Sequence, residues 1–402
     1  MFESIYTGLT GLSTFSRGLS NISNNVANLN TVGYKRSVLQ FQDLMPARDS
    51  VTGQRGNGVA AGQPHVVYKQ GELRQTGNVL DAAVDGAGYF VLRDGEGQTF
   101  YTRAGQFEFD REDKLVSRDT GHEVMLLGSD GALSAFSLAP YRSMAGSATA
   151  SISFDGTLST GDADRSHTIT DIRVYDSAGV LHALTMRFTD QSDPQIGTAD
   201  HAWRYSLSDD RQNVLGSGTL RFGADGAPAP DAVPASFALT LPDGATQQVA
   251  LNFGTPGRFD GITSFSLGSD STARVAASDG AASGTLTESS FEADGAIRLR
   301  YGNGITKTAG SLALAWFGHP QDLEAEGRSL WRVAAGAKPV LGAARSTLFG
   351  SIAGGQVEAS NVDLTAQFSE LIVTQRGYQA SSQVISTANE MMQQLFDMRG
   401  RR

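Results

Sequence analysis

Cysteine is absent from the chain, which removes disulfides, thiolate metal sites and thiol catalysis at once and leaves the fold indifferent to redox compartment. Histidine is sparse. His65, His122, His167, His182, His201 and His319 stand singly, with no HExxH pair and no carboxylate at ligand spacing. No GxSxG elbow, Walker A loop or GxGxxG fingerprint occurs, so acyl transfer, nucleotide hydrolysis and dinucleotide binding lack their usual sequence support. Asp209-Asp210 and the Asp162/Asp164 pair read as turns or solvated loops, because glycosidase acids are normally far apart in sequence. The expectation is a protein that is not an enzyme and holds no cofactor and no metal.

Positive charge is also in deficit, with 32 Lys and Arg against 42 Asp and Glu and a net charge of -10, which argues against nucleic acid as a partner. Lys35-Arg36 and the terminal Arg399, Arg401 and Arg402 read as solvated helix and chain ends. No run approaches the roughly 18 apolar residues of a spanning helix, so membrane insertion is not expected. Nor does the N-terminus show a basic region, apolar core and small-residue cleavage site, so a cleaved secretory signal is not expected either. At 402 residues the chain is long enough for two or three compact domains.

What the chain does have is periodicity at its two ends. Ile5, Leu12, Leu19 and Val26 recur at intervals of seven, and Gly8, Phe15, Ile22 and Leu29 form a second series three residues on. This is the a/d pattern of a helix that packs lengthwise against other helices. Only Glu3 and Arg17 are charged between Met1 and Tyr34, so the e/g ion pairs of a free two-stranded coiled coil are missing. Gly8, Gly11 and Gly18 each cost about 1 kcal/mol relative to alanine, which makes the helix marginal on its own. Periodicity alone fits equally an ordinary amphipathic helix on its own domain's core.

The other end shifts that balance. Leu364, Leu371, Tyr378, Ile385 and Met392 repeat the seven-residue interval, flanked by Phe368, Ile372, Ala388, Leu395 and Phe396. Ser360, with Asp363 three residues on, is read as the helix start. From Gly377 through Asn389 no residue is charged, and Gln375, Gln379, Ser382, Asn389 and Gln393 make a neutral polar face. Two such ends are expected to pack together and, through surplus apolar surface, against copies of themselves.

Between them, residues 36 to 72 carry Gly53, Gly56, Gly58, Gly62, Gly71, Pro46 and Pro64, and predict a connector with little long regular structure. Short apolar or alternating runs at Tyr89 to Leu92, Thr99 to Arg103, Gln106 to Phe109 and Glu123 to Leu127 predict a β meander. Further strands are expected at Thr168 to Tyr175, Leu181 to Phe188, His201 to Leu207, Gly218 to Phe222, Ala296 to Tyr301 and Ser311 to Phe317. Asp-Gly begins at Asp85, Asp94, Asp130, Asp155, Asp225, Asp243, Asp260, Asp279 and Asp294. Asp-Gly supplies the positive φ of tight hairpins, and none of these sites has the alternating ligands and distal Glu of an EF-hand, so turns are the better account than calcium. The fold class expected is α+β and multidomain. Its parts are a helical pair at 1–32 and 360–402, a connector at 33–72, a β-rich domain at 73–145 and 285–359, and an inserted β-barrel or sandwich at 146–284.

The run Asn24-Asn25-Val26-Ala27-Asn28-Leu29-Asn30-Thr31-Val32-Gly33-Tyr34-Lys35 resembles the N-terminal signature of bacterial flagellar rod and hook proteins. Val357-Glu358-Ala359-Ser360-Asn361-Val362-Asp363-Leu364 and Gln375-Arg376-Gly377-Tyr378-Gln379 resemble their C-terminal signature. The interior stretches 80–86, 100–107, 174–179 and 301–304 are similar to segments of the same proteins, and the resemblance is weakest from about 190 to 280. It implies a helical homopolymer forming the flexible hook tube. The implied neighbours are the rod, the hook cap, the hook–filament junction proteins and the flagellar export apparatus. It also implies a location in the flagellum, reached without a cleaved signal peptide. Within such a tube the helical pair would lie innermost, 146–284 outermost, and the Gln375 face would line the channel. Phe41 to Met45 resembles the Phe-x-x-x-hydrophobic element read at the export gate, although simple packing of Phe41 accounts for it as well. The family's corresponding connector is ordered between subunits and its length is associated with tube curvature. A distal rod subunit therefore stays open as an alternative, and a secreted adhesin is a third reading that leaves both helices unexplained.

Overall fold

A computed structural model describes residues 2–44, 58–162, 164–191, 201–229, 235–241, 246–266, 270–319 and 322–400. Helix α1 (Phe2–Ala27) opens the chain, helix α2 (Leu364–Gly400) closes it, and nearly everything between is strand. The chain divides into two compact units: Met1–Pro140, Ser289–Leu299 and Lys307–Arg402 form the first, and Tyr141–Glu288 with Arg300–Thr306 form the second.

In the first unit the chain's late strands close on its early ones. Ser351–Gly354 pairs with Ala82–Asp85, and Gln356–Glu358 pairs with Leu73–Gln75, both antiparallel. A larger sheet runs Glu123–Leu127, Tyr89–Arg93, Thr99–Thr102, Leu330–Val333, Leu323–Gly327. Its core face buries Tyr89, Val91, Tyr101, Met125 and Trp331.

The described parts of the connector are more regular than the glycine and proline content predicts. In these parts, 36–44 and 58–72, β1 (Ser37–Asp43) and β2 (Val59–Val66) pair antiparallel, while Pro46, Gly53 and Gly56 lie outside the described residues. The register slips between Leu39, opposite Pro64, and Phe41, opposite Ala61, so the irregularity falls at Gly62 and beside the proline. A bulge is where a strand tolerates both residues. Two helix ends also differ from expectation. Asp363, not Ser360, caps α2, its Oδ1 accepting the backbone N–H groups of Thr365 (2.9 Å) and Ala366 (3.1 Å). α1 stops at Ala27, where Asn28 N–H turns to the Asn24 and Asn25 carbonyls, and Gly33 then takes a positive φ of 69°. The run expected at Ser311 to Phe317 is two short strands, Thr306–Leu312 and Leu314–Trp316.

The second unit is a two-sheet β sandwich. Ser166–Tyr175, Leu181–Asp190, His201–Ser208 and Val214–Phe222 form one meander. Ala235–Thr240, Thr246–Asn252, Ser151–Ser159 and Ile262–Phe265 form the other sheet, with Arg274–Ser278 added on Ser151–Ser159. Inward residues of both sheets share one core around Trp203, Phe154, Phe188 and Phe222. The Trp203 indole N–H reaches Ser264 Oγ at 3.1 Å, so the largest buried ring leaves no polar atom stranded.

One hairpin loop recurs in both units, spanning 94–98, 110–114, 128–132, 176–180, 209–213, 223–227, 292–296 and 301–305. The first residue donates to the fifth and accepts from the fourth, and the fourth has φ between 62° and 86°, as at Asp113, Gly131, Gln212, Gly226 and Gly97. This is a three-residue loop with a left-handed third position, not the two-residue turn that Asp-Gly alone suggests. The aspartate instead caps backbone N–H groups, as Asp94 Oδ1 does for Glu96 and Gln98.

Removing the indole empties a site with no solvent to refill it. Trp203→Ala is expected to destabilise the second unit by about 3–5 kcal/mol. Denaturant titration should show that unit's transition shift while the circular dichroism of α1 and α2 persists.

Candidate assembly interface

The two terminal helices run antiparallel, and the face on which they meet is made largely of small residues. Along α1, Gly8, Gly11, Phe15, Gly18, Ile22 and Asn25 follow alternating three- and four-residue steps, and all but half-buried Phe15 are buried. Along α2 the matching steps are Gln367, Leu371, Thr374, Tyr378, Ser381, Ile385, Ala388 and Met392, each buried or half-buried. A Cβ on Gly8 would stand 2.9 Å from Ile385, one on Gly11 2.8 Å from Ser381 Oγ, and one on Gly18 3.2 Å from Thr374. A Cβ on Gly377 would stand 2.5 Å from the Phe15 ring. The pair is thus a coiled-coil seam whose helices approach closely because side chains are missing.

This rearranges the two apolar series. Gly8, Phe15 and Ile22 follow the pair face, but their companions there are Gly11, Gly18 and Asn25; Leu29 lies in the turn beyond the end of α1 and is half-buried. Ile5, Leu12, Leu19 and Val26 flank it and are half-buried. On α2, Leu371, Tyr378, Ile385 and Met392 are half-buried, whereas Leu364 and Phe368 are exposed. The companions that the sequence reading missed, Gln367, Thr374 and Ser381, are polar and give no hydropathy signal, whereas Ala388, read there as a flanking residue, is buried on the face.

Where the seam meets the connector it becomes polar. Asn25 is 1% exposed; its Nδ2 donates to Gln367 Oε1 (2.9 Å) and to the Ser37 carbonyl (2.7 Å). Its Oδ1 accepts from Ser37 N–H (3.0 Å) and the Tyr34 hydroxyl (3.2 Å). A single satisfied Asn in a helical seam sets register, since any slip strands its amide. Asn28 and Thr31 stitch the following turn, with Thr31 Oγ1 donating to Asn28 Oδ1 at 3.0 Å, while Ala27 is exposed. Phe41 stands edge-on to Phe15 at 5.5 Å and is 46% exposed; Met45 lies outside the described residues.

Below the seam lies a buried ionic cluster. Glu358 and Lys35 have fully buried side chains and form a direct ion pair, and Arg103 adds Nη1 to Glu358 Oε2 at 3.3 Å. Lys35 Nζ also donates to the Lys69 carbonyl (3.0 Å), Gly71 N–H donates to Glu358 Oε1 (2.8 Å), and Arg103 Nη2 donates to the Gly86 carbonyl (2.8 Å). The Arg103 guanidinium lies 4.9 Å from the Tyr89 ring centroid, and burial pushes the Tyr89 hydroxyl up to about 12. Gly33 seals the joint: its N–H donates to the Glu358 carbonyl at 2.8 Å, and a Cβ there would lie 2.6 Å from Ala104 N. Burial lowers the Lys35 pKa below 10.5, opposed by the Glu358 charge.

Two faces of α2 are exposed among the described residues. At about 100° per residue, Val373, Ala380, Val384, Met391, Leu395 and Met398 form one row turned roughly a third of a circle from the α1 face. Val373 is 70% exposed and Met398 74%. Gln375, Gln379, Ser382, Asn389 and Gln393 form another row, all exposed. Among the described residues no group of three or more His, Asp or Glu could hold a metal, and no helix is long and apolar enough to cross a membrane.

Four family profiles match the chain in order: "Flagella basal body rod protein" over residues 5–35, "Flagellar hook protein FlgE/F/G D1 domain" over 83–160, "Flagellar basal body protein FlaE D2 domain" over 137–322, and "Flagellar basal body rod FlgEFG protein C-terminal" over 353–398. The flagellar hook protein FlgE of Treponema pallidum (strain Nichols) is 28% identical over 466 aligned positions, spanning 99% of this chain and 100% of that protein. FlgE of Escherichia coli (strain K12) is 27% identical over 416 positions, spanning 97% and 98%. Among solved structures, the hook protein FlgE2 of Helicobacter pylori gives a TM-score of 0.49 at 12% identity, over 71% of this chain and 100% of that one.

The cluster holds two cations on one carboxylate, so its members are not equivalent. Glu358→Gln strands both cations and is expected to cost about 3–5 kcal/mol at neutral pH; Lys35→Met should cost less, because Arg103 keeps its partner. With its pKa lowered by folding, Lys35 binds fewer protons in the native than in the unfolded chain, so stability rises as pH climbs through the lowered value toward 10.5. Urea titrations should therefore show the Glu358→Gln deficit shrinking under alkaline conditions, and the Lys35→Met protein lacking that slope.

Proposed function

The chain belongs to the family of bacterial flagellar rod and hook proteins, and from that premise we propose that it is the structural subunit of the hook. It polymerises helically into a flexible tube that couples rod to filament, transmits torque and lets exported proteins pass. The observation that carries the polymer is the uncovered apolar row on α2. Glycines supply the close contact within the subunit, so Val373, Ala380, Val384, Met391, Leu395 and Met398 stay available to other copies. A subunit whose own helices were joined through all its apolar residues would have no such surplus.

In this reading the helix pair, 1–32 with 360–402, forms the tube's inner layer, 73–145 with 285–359 the middle, and 146–284 the outside. The connector 33–72 lies between subunits. Contacts are heterologous, one face of a copy meeting a different face of the next, which propagates without closing. The exposed row from Gln375 to Gln393 lines the channel: an uncharged polar wall neither traps nor repels chains in transit. The subunit leaves by the flagellar export apparatus without signal cleavage, with Phe41 and Met45 as the export element, and meets rod, hook cap and hook–filament junction proteins at the tube's ends.

Electron microscopy of basal bodies from a strain lacking the chain should show complete rods that end bare. Truncated rods would assign the chain to the distal rod instead, and normal hooks would overturn the reading. In the complemented strain, Val384→Asp is expected to abolish hooks while leaving the second unit's thermal transition unchanged, since Val384 faces away from α1.

A further inference from the structure

α2 is longer than its partner. With Gly8 against Ile385 in an antiparallel pair, seven further residues bring α2 to Met392 as α1 runs out. The remaining eight steps to Gly400 project about 12 Å past the pair. That overhang is not a polar tail: Leu395 is 50% exposed, Phe396 69% and Met398 74%, with Asp397 beside them.

A groove elsewhere in the first unit matches the overhang in length and chemistry. It lies between α1 and the connector strands, has a volume of about 300 Å³, and is lined by Leu9, Ser13, Arg17, Leu44, Val59 and Ala61 among others. From Leu9 to Arg17 α1 rises eight steps, again about 12 Å. Leu9 is 56% exposed at one end. Arg17, exposed at the other, has no ion-pair partner among the described residues.

We propose that the last two turns of α2 dock in the α1–connector groove of a neighbouring copy, Leu395 and Phe396 covering Leu9 and Leu44 while Asp397 meets Arg17. The inference rests on the homopolymer reading above and names one of its contacts. The same subunit cannot make it: α2 leaves the pair straight beyond residue 2, whereas the groove begins at Leu9 and runs the other way along α1. Tail into groove is a head-to-tail contact, so each copy offers one of each and the series extends indefinitely. Arg17 is the only cation of α1, and this contact gives it a counter-charge.

The absence of native cysteine makes the test clean. Ser13→Cys combined with Leu395→Cys, and Ser13→Cys combined with Met398→Cys, are introduced into the full chain, and isolated hooks are oxidised. At least one pair should give a ladder of covalent multimers, and hooks mixed from the two single variants should stop at dimers. Hooks that assemble from both double variants yet yield monomer alone overturn the docking while leaving the hook reading intact. Normal hooks in a strain lacking the chain overturn the hook reading itself. A chain ending at Gln394 gives a second arm: it should build no hooks while its monomer keeps the thermal stability of the full chain, and hooks of normal length from it overturn the docking.

Discussion

Glu358 is the group on which the rest of this structure hangs. Its carboxylate, wholly buried, binds Lys35 from 323 positions away and Arg103 from 255, and accepts the backbone N–H of Gly71. An isolated buried carboxylate is untenable, and so are two isolated buried cations. The joint therefore forms only when both ends of the chain and the bend that bears Arg103, just after the strand Thr99–Thr102, are in place together. Everything from 36 to 357 becomes a loop closed by that joint, which is why the late strands pair with the early ones and why the two helices emerge side by side. The geometry is intolerant of compromise: Gly33 has no room for a side chain, and Arg103 also donates from Nη1 to the Val84 carbonyl and from Nη2 to the Gly86 carbonyl.

From this joint the helix pair inherits its register, and Asn25 keeps it. A slip by one heptad would place Asn25 opposite Thr374 instead of Gln367 and leave its amide without its side-chain partner. The glycines then solve a different problem. A helix pair joined by leucine on both sides would be stable alone and indifferent to copies of itself. Joined by Gly8, Gly11, Gly18 and Gly377, it gains close backbone approach and little burial, so larger apolar side chains such as Val373, Val384 and Met398 are left exposed.

How far the sequence discloses this depends on the kind of signal. The seven-residue period is plain in both termini, because Leu, Ile and Met recur on it, and the antiparallel β body is plain from its short alternating runs. Which stripe faces which partner is not, because hydropathy ranks Gly11, Thr374 and Ser381 as filler when they are the contact. The connector misleads for a related reason: Gly62 and Pro64 look like breakers, yet both sit at one irregular point of an otherwise paired β1 and β2. Asp363 outranks Ser360 as a cap because only its carboxylate reaches two free N–H groups at once. Lys35, Arg103 and Glu358 all stand in stretches with a family resemblance, but nothing in their local context separates a buried ion from a solvated one. That distinction arises only when residues hundreds of positions apart share a site.

The division between closely joined and loosely covered surfaces has a mechanical consequence. A tube that bends as it rotates must keep each subunit intact while contacts between subunits change. The interactions within this subunit are those that resist gradual change: a buried ion cluster, an amide network and glycine positions with no room for a Cβ, each of which fails abruptly when displaced. The surfaces it leaves open are of the opposite kind. Val373, Val384, Met391, Leu395 and Met398 attract through area, which varies smoothly with displacement and carries no directional penalty. Methionine is the most adaptable of them, unbranched and free to repack against a shifted neighbour. Deformation of such a polymer is therefore absorbed between subunits and not inside them, and the choice of glycine within the pair is what makes that separation possible.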